Sequence, residues 1–239
     1  MDAIKEILFS VAGVQFLLRW LHFLFGITWI GILYFFNLVN VNFMKSLDGA
    51  TKSKVIPELM PRALFWFRWG AIGTWLSGFI YFVWILSAEH GSHAALGLWL
   101  VIWLVTWGII RGLLHPISGA LNKGVVIGIA VAALVTLMCA ALLFAAGNGL
   151  PTNRTMSIGL GGGLGTLMLL NVWGIIWPHQ KRIIAWTKEA AEKGTPMPPE
   201  AAKLARRAFL ASRMNAWLSL PMLWFMGMAS HLPLFTSAQ

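Results

Sequence analysis

The stretch GVVIGIAVAALVTLMCAALLFAA, residues 124–146, runs its whole length without a charged, amide or proline side chain. A helix needs about 20 apolar residues to cross roughly 30 Å of hydrocarbon. This run is long enough for one crossing and too uniformly apolar for a soluble helix, which keeps a polar face toward water. The rest of the chain is of the same kind: of 239 residues, 58% are hydrophobic and 11% charged, with a mean hydropathy of +0.74. Soluble domains carry about 25% charged residues, so a bilayer, not a large core, is the expected solvent.

Working outward, five further spans are expected at about 17–40, 64–87, 95–114, 158–177 and 208–230. The gaps hold residues that a crossing would strand: Lys45, Asp48, Lys52 and Lys54 in the first, Glu89 to His93 in the second, His115-Pro116 in the third, then Gly147 to Arg154 and Lys181 to Arg207. Long runs without polar alternation point to helices, whose backbone groups are satisfied within the segment, and not to a barrel. The expected fold class is therefore all-α: a polytopic integral membrane helix bundle of six transmembrane helices, one domain over residues 1–239. Ile7 to Leu18 is also apolar and joins Trp20 to Val41 with only Arg19 and His22 interrupting, too long for one perpendicular crossing. A short interfacial helix leading into the first span is expected, with Arg19 near the rim. The amino end is not basic and no small-residue cleavage site follows a short apolar core, so a cleavable signal is not expected.

Lys and Arg set the orientation, because they concentrate in cytoplasmic segments. The first, third and fifth loops with adjacent helix ends hold Lys45, Lys52, Lys54, Arg62, Arg68, Arg111, Lys123, Lys181, Arg182, Lys188, Lys193, Lys203, Arg206, Arg207 and Arg213, against Lys5, Arg19 and Arg154 on the other side. Both ends are thus expected outside (N-out/C-out), and 178–207 is a basic cytoplasmic loop. The formal charge of +10 follows from this topology. It calls for anionic lipid, with an acidic partner as the alternative, and not for nucleic acid.

The single Cys139 lies inside the fourth span, which excludes a disulfide framework, a Cys-pair metal site and a covalent c-type haem motif. Gly70, Thr74 and Gly78, then Gly124, Gly128 and Ala132, then Gly159 to Gly165 fall where helices can approach closely. The last run lacks the Gly-x-Gly-x-x-Gly spacing and a preceding strand, so it is no nucleotide loop. Trp99, Trp103 and Trp107 form a stripe on the third helix, read as packing, with stacking on a porphyrin or purine as the minority reading.

Histidine carries the chemistry, since an ionisable residue inside a span is costly. His22, His90, His93 and His231 fall toward the outer side, His115 and His179 toward the inner. Arg19, His22 and Gly26 share a helical face, as do Arg213, Trp217, Trp224, Gly227 and His231. The two helices run in opposite directions, yet each puts a glycine one turn deeper than its histidine. Imidazoles can ligate haem iron, a neighbouring glycine leaves room for the flat macrocycle, and Arg19 can pair with a propionate. Equally, His231 can simply end a helix and His22 bond a carbonyl. His93 is a further candidate axial ligand, and His90 and His93 with Glu89 a candidate loop metal site. His115 and His179 flank prolines and read as helix-end residues. No paired intramembrane carboxylates, nucleophile–base pair, Walker-type loop or similarity between halves is found in the sequence. Hydrolysis, primary pumping and inverted-repeat transport are unsupported.

Three segments carry a resemblance: LRWLHFLFGITWIGILYFFNLVNVN (18–42), NVWGIIWPHQKRII (171–184) and ARRAFLASRMNAWLSLPMLWFMGMASHLP (205–233). With them the chain resembles the membrane domain of the bacterial membrane-bound urate hydroxylases (PuuD-type), in the family's order. The middle, about 88–150, is not distinctive. LHFLFGITWIGILYF has a weaker likeness to the first helix of haem-linked membrane protoporphyrinogen oxidases. The resemblance implies oxidation of urate to 5-hydroxyisourate, electrons passing to cytochrome c, and a location in the bacterial inner membrane. It also implies a cytochrome c domain after the last helix. This sequence stops at Gln239, so any c-type haem is expected in another protein. Asn171, Trp173, Arg213 and Asn215 are candidates to bind a purine, or equally to hold helices together. Two readings stay open. One is a haem b membrane oxidoreductase related to urate hydroxylase that hands electrons to a separate periplasmic cytochrome c. The other is a non-catalytic accessory subunit of a respiratory or photosynthetic membrane complex. The catalytic residues themselves are not identified by the sequence.

Overall fold

The computed structural model describes Lys5, residues 10–115, 122–146 and 149–235. Among them there is no strand, and the chain is an all-α helix bundle. Five helices are long and apolar enough to cross a membrane: α1 Val11–Ser46, α2 Gly49–Ala88, α3 His93–Leu114, α4 Gly124–Ala146 and α5 Asn153–Lys193. A sixth, α6 Ala201–His231, has 31 residues. Its basic first turns and Arg213 lower its mean hydropathy, yet its length suffices for the same journey.

α4 coincides with the stretch that opened the sequence reading. The other helices overrun their expected spans. α1 begins at Val11, where the Ser10 hydroxyl accepts from the Gly13 N–H, a cap that satisfies one of the free amides of the first turn. From there it continues without a break through Arg19 and His22, so Val11–Leu18 is the first turns of α1 and not a separate interfacial helix. Ile7–Phe9 and Pro116 lie outside the described residues. α2 has 40 residues, about 60 Å at 1.5 Å per residue, twice the hydrocarbon thickness. Its first turns, with Lys52, Lys54, Glu58 and Arg62, project beyond the apolar layer. α5 does the same at its far end. The segment Trp177–Lys193 is a helix, laced by Lys188–Glu192 and Lys193–Glu189 pairs, and it stops at Gly194, whose φ of +68° suits glycine. Much of the basic segment 178–207 is therefore helical, and 194–200 connects α5 to α6.

Two pairings organise the bundle, α1 on α2 and α5 on α6. The first depends on small residues. A Cβ on Gly70 would stand 3.3 Å from the Phe25 carbonyl and Trp29 nitrogen, and one on Gly73 2.5 Å from the Phe25 ring. Close backbone approach of this kind drives packing where lipid removes the hydrophobic driving force. The tryptophan stripe of α3 fits the glycine run of α5. Trp103 occupies the space at Gly163, Trp107 that at Gly174, and the Trp99 indole donates to the Gly159 carbonyl at 2.6 Å. Outward, Val125, Ile129 and Phe144 are exposed, the lipid-facing surface of a membrane bundle.

Each of α1 and α5 carries a π turn, Phe35–Asn40 and Val172–Ile176. Beside them α6 is tied by amides. Asn37 donates to the Ser212 hydroxyl at 3.0 Å, Asn171 to the Asn215 amide oxygen at 2.8 Å, and Asn215 to the Met168 carbonyl at 2.9 Å. Further along, Tyr34 and Ser219 share a hydrogen bond of 2.9 Å. α1 and α6 are thus joined through the half of the bundle away from the termini.

Candidate functional site

Toward the other end, where α1 begins and α6 finishes, the same two helices line a cavity of about 670 Å³. Its volume lies within the roughly 300–1,000 Å³ typical of cofactor and ligand sites. α1 contributes Arg19, His22, Gly26 and Trp29; α6 contributes Met226, Gly227 and His231; α5 contributes Arg154 and Gly162. α2 and α3 close it with an aromatic wall: Trp75 stacks on Phe79 at 4.8 Å with an interplanar angle of 7°, and Phe79 lies 6.1 Å from Trp99. The Trp75 indole is held by the Thr166 hydroxyl at 2.9 Å, which fixes the wall to α5.

His22 is half-buried, and its Nδ1 lies 2.8 Å from the Thr74 carbonyl of α2. A carbonyl can only accept, so Nδ1 carries the proton, and in the neutral ring Nε2 keeps its lone pair. That is the tautomer of a metal-ligating histidine, with the opposite nitrogen oriented by a backbone carbonyl. Gly78 makes room for the ring, since a Cβ there would be 2.7 Å from both Cε1 and Nδ1 of His22. His231, which lines the same cavity, ends α6 and is exposed. A Cβ on Gly227 would meet nothing within 4 Å, and one on Gly26 only Thr74, nearest at 3.7 Å. Both glycines therefore offer bare backbone beside open space. The cavity brings together Arg19, His22, Gly26, Gly227 and His231, five residues that sequence spacing singled out from two distant helices.

Four residues at the site are not marked as part of it by the sequence, where Thr74 and Gly78 read only as close-packing positions and Arg154 only as an outer charge. Tyr81 stands between two guanidiniums, with Arg19 Cζ 5.6 Å and Arg154 Cζ 5.5 Å from its ring centroid. Arg154 also donates to the Tyr81 hydroxyl. Thr74 acts through its backbone and Gly78 through what it lacks. The available signal was Arg154 itself, one of only three basic residues on the side that positive charge avoids.

Other candidates lie elsewhere. His93 is the exposed first residue of α3 and His90 an exposed loop residue with φ +59°; neither lines the cavity. Glu89 turns to Arg154 and Thr152, and among the described residues no three His, Cys, Asp or Glu come together as a metal site. Asn171 and Asn215 are fully buried against each other in the amide tie. Trp173 donates its indole N–H to the Arg68 carbonyl at 3.3 Å, and Arg213 lies over Phe209. None of these four lines the cavity.

Residues 46–239 match the family described as urate oxidase N-terminal. The chain belongs to the urate oxidase N-terminal family. No curated protein and no solved structure matches it. The urate oxidase N-terminal match includes Tyr81, Glu89, Arg154, Gly227 and His231, whereas Arg19, His22 and Gly26 precede it. Family membership thus rests on α2 to α6, and the α1 wall of the cavity is an observation of this chain.

Proposed function

We propose that this chain is a haem b-binding redox protein of the membrane, with the cofactor seated in the cavity between α1 and α6. The observation that carries the reading is His22: an imidazole held by Nδ1 on the Thr74 carbonyl, with no hydrogen bond at Nε2 among the described residues, in a largely apolar cavity that His231 also lines. The chemistry of those residues fits the group. His22 and His231 would hold the iron, Gly26 and Gly227 would leave room for the ring beside the Trp75–Phe79–Trp99 wall, and the cofactor when bound would supply one-electron transfer. The aromatic wall gives the site a largely apolar lining.

In this reading both ends face the outside of a bacterial inner membrane. The excess of Lys and Arg at the opposite end of the bundle supports that orientation. Electrons would leave through a separate cytochrome c at the outer surface, and urate is the substrate to test first because of the family. Purified protein should show a Soret band and yield one haem b per chain by the pyridine assay. His22→Ala should lose most of it and His231→Ala should lose it in part or change its spin state. Protein isolated from haem-replete cells without any Soret band would overturn the reading. Urate-dependent reduction of added cytochrome c tests the substrate separately.

A further inference from the structure

The end of the bundle at which the cavity opens is poor in positive charge, yet two of its arginines converge on one tyrosine. Arg19 comes from α1 and Arg154 from the first turn of α5, and their guanidiniums flank the Tyr81 ring. Tyr81 is 9% exposed and lines the cavity with both arginines. Arg154 is the braced member. It donates to the Tyr81 hydroxyl and to Glu89 at 3.4 Å, and Glu89 in turn accepts from Thr152, the residue whose side chain caps α5. Arg19 is exposed, and the one hydrogen bond its side chain makes among the described residues, to the Gln15 carbonyl, is long at 3.4 Å. Two cations against one carboxylate leave an excess positive charge on the lip of an apolar slot. Deeper, Trp29 is 2% exposed and lines the cavity, and its indole N–H has no partner among the described residues. A buried donor without an acceptor is costly unless something else supplies one.

We propose that Arg154 and Arg19 are a carboxylate-binding pair at the mouth of the cavity. They take the two acid groups of a flat, otherwise apolar ligand, with Tyr81 and Glu89 positioning Arg154. The proposal rests on the haem reading above, in which those acids are the propionates. Guanidinium–carboxylate bonds are charge-assisted and directional, and here they set which edge of the ring faces outward. Glu89 keeps Arg154 from swinging away when the slot is empty.

Optical titration of the purified full chain with haemin and with haemin dimethyl ester, whose acids are masked, separates the two ideas. Wild type should bind haemin about tenfold or more tightly than the ester. Arg154→Gln should lose that preference by weakening haemin alone, Arg154→Lys should restore part of it, and Arg19→Gln should act in the same direction. Arg19→Gln also serves if Arg154→Gln fails to fold, because Arg19 is exposed and its hydrogen bond to Gln15 stays within α1. If both variants bind haemin as wild type does while the spectrum still depends on His22, the pair is overturned and the haem reading stands. Equal weakening toward haemin and ester overturns it too, since that marks a structural role. If wild type binds neither form, both proposals fall.

Discussion

At the scale of the residue, the chemistry of the cavity turns on positions that hold no functional group. Gly78 is a vacancy shaped for an imidazole, and adding one methyl puts an atom 2.7 Å from the His22 ring. Gly78→Ala should therefore push His22 off the Thr74 carbonyl and weaken haem binding by roughly 10–100-fold, the usual effect of disturbing a ligand's support, as read by Soret titration. Gly227→Leu should block the cavity from the opposite wall, abolishing haem uptake while leaving the unfolding midpoint of the haem-free protein near that of wild type. That His22, Gly26, Gly227 and His231 belong together was legible in the sequence, because helical period puts each histidine and its glycine on one face, and the structure has all four line one cavity. Thr74 and Gly78 were legible only as close-packing positions, since a carbonyl has no residue signature and a steric gap is defined by whatever fills it. Asn171 and Asn215 look equipped for a purine and equally for holding helices; in the fold Asn171 donates to the Asn215 amide oxygen and Asn215 to the Met168 carbonyl, which joins α5 to α6.

At the scale of the element, packing follows from fitting large residues into glycine holes. Gly163→Ala would drive a methyl into the buried Trp103 ring. Such overpacking costs about 1–3 kcal/mol, so the thermal midpoint in detergent should fall, with near-ultraviolet circular dichroism reporting the loss of tryptophan order. The start of α2 titrates. The Thr51 hydroxyl and then the Thr51 N–H hydrogen-bond the Asp48 carboxylate, holding its pKa below the usual carboxylate range. A depressed folded-state pKa contributes stability above the unfolded value that is lost as pH falls through the folded one. Acidification should fray the first turn of α2, seen as faster hydrogen exchange at Thr51 and Lys52, and Asp48→Asn should remove that pH dependence. The extents of α2 and α5 were not legible in the spans because hydropathy marks where a helix is apolar, not where it ends. Ends are set by caps such as Asp48, Thr152 and Gly194.

At the scale of the whole molecule, the bundle divides into two halves with different work. Away from the termini, amide ties and arginines lock the helices: Arg206 donates to the Asn122 carbonyl at 2.6 Å, Arg207 to the His115 carbonyl, and Arg68 stacks on Trp177 at 3.7 Å. Toward the termini the α1–α6 contact gives way to the cavity. In a Cys139→Ala background, Ser92→Cys should react with an impermeant maleimide added outside intact cells, and Lys181→Cys only after permeabilisation. The reverse pattern would invert the orientation. The half-and-half division was foreshadowed by the uneven spread of Lys and Arg, whereas the convergence of Arg19 and Arg154 on Tyr81 required three helices to be seen together. The most direct measurement of the central claim is low-temperature electron paramagnetic resonance of the ferric protein. Two imidazoles on one iron should give a low-spin rhombic signal that turns high-spin or disappears in both His22→Ala and His231→Ala. An unchanged low-spin signal in His22→Ala would contradict the account.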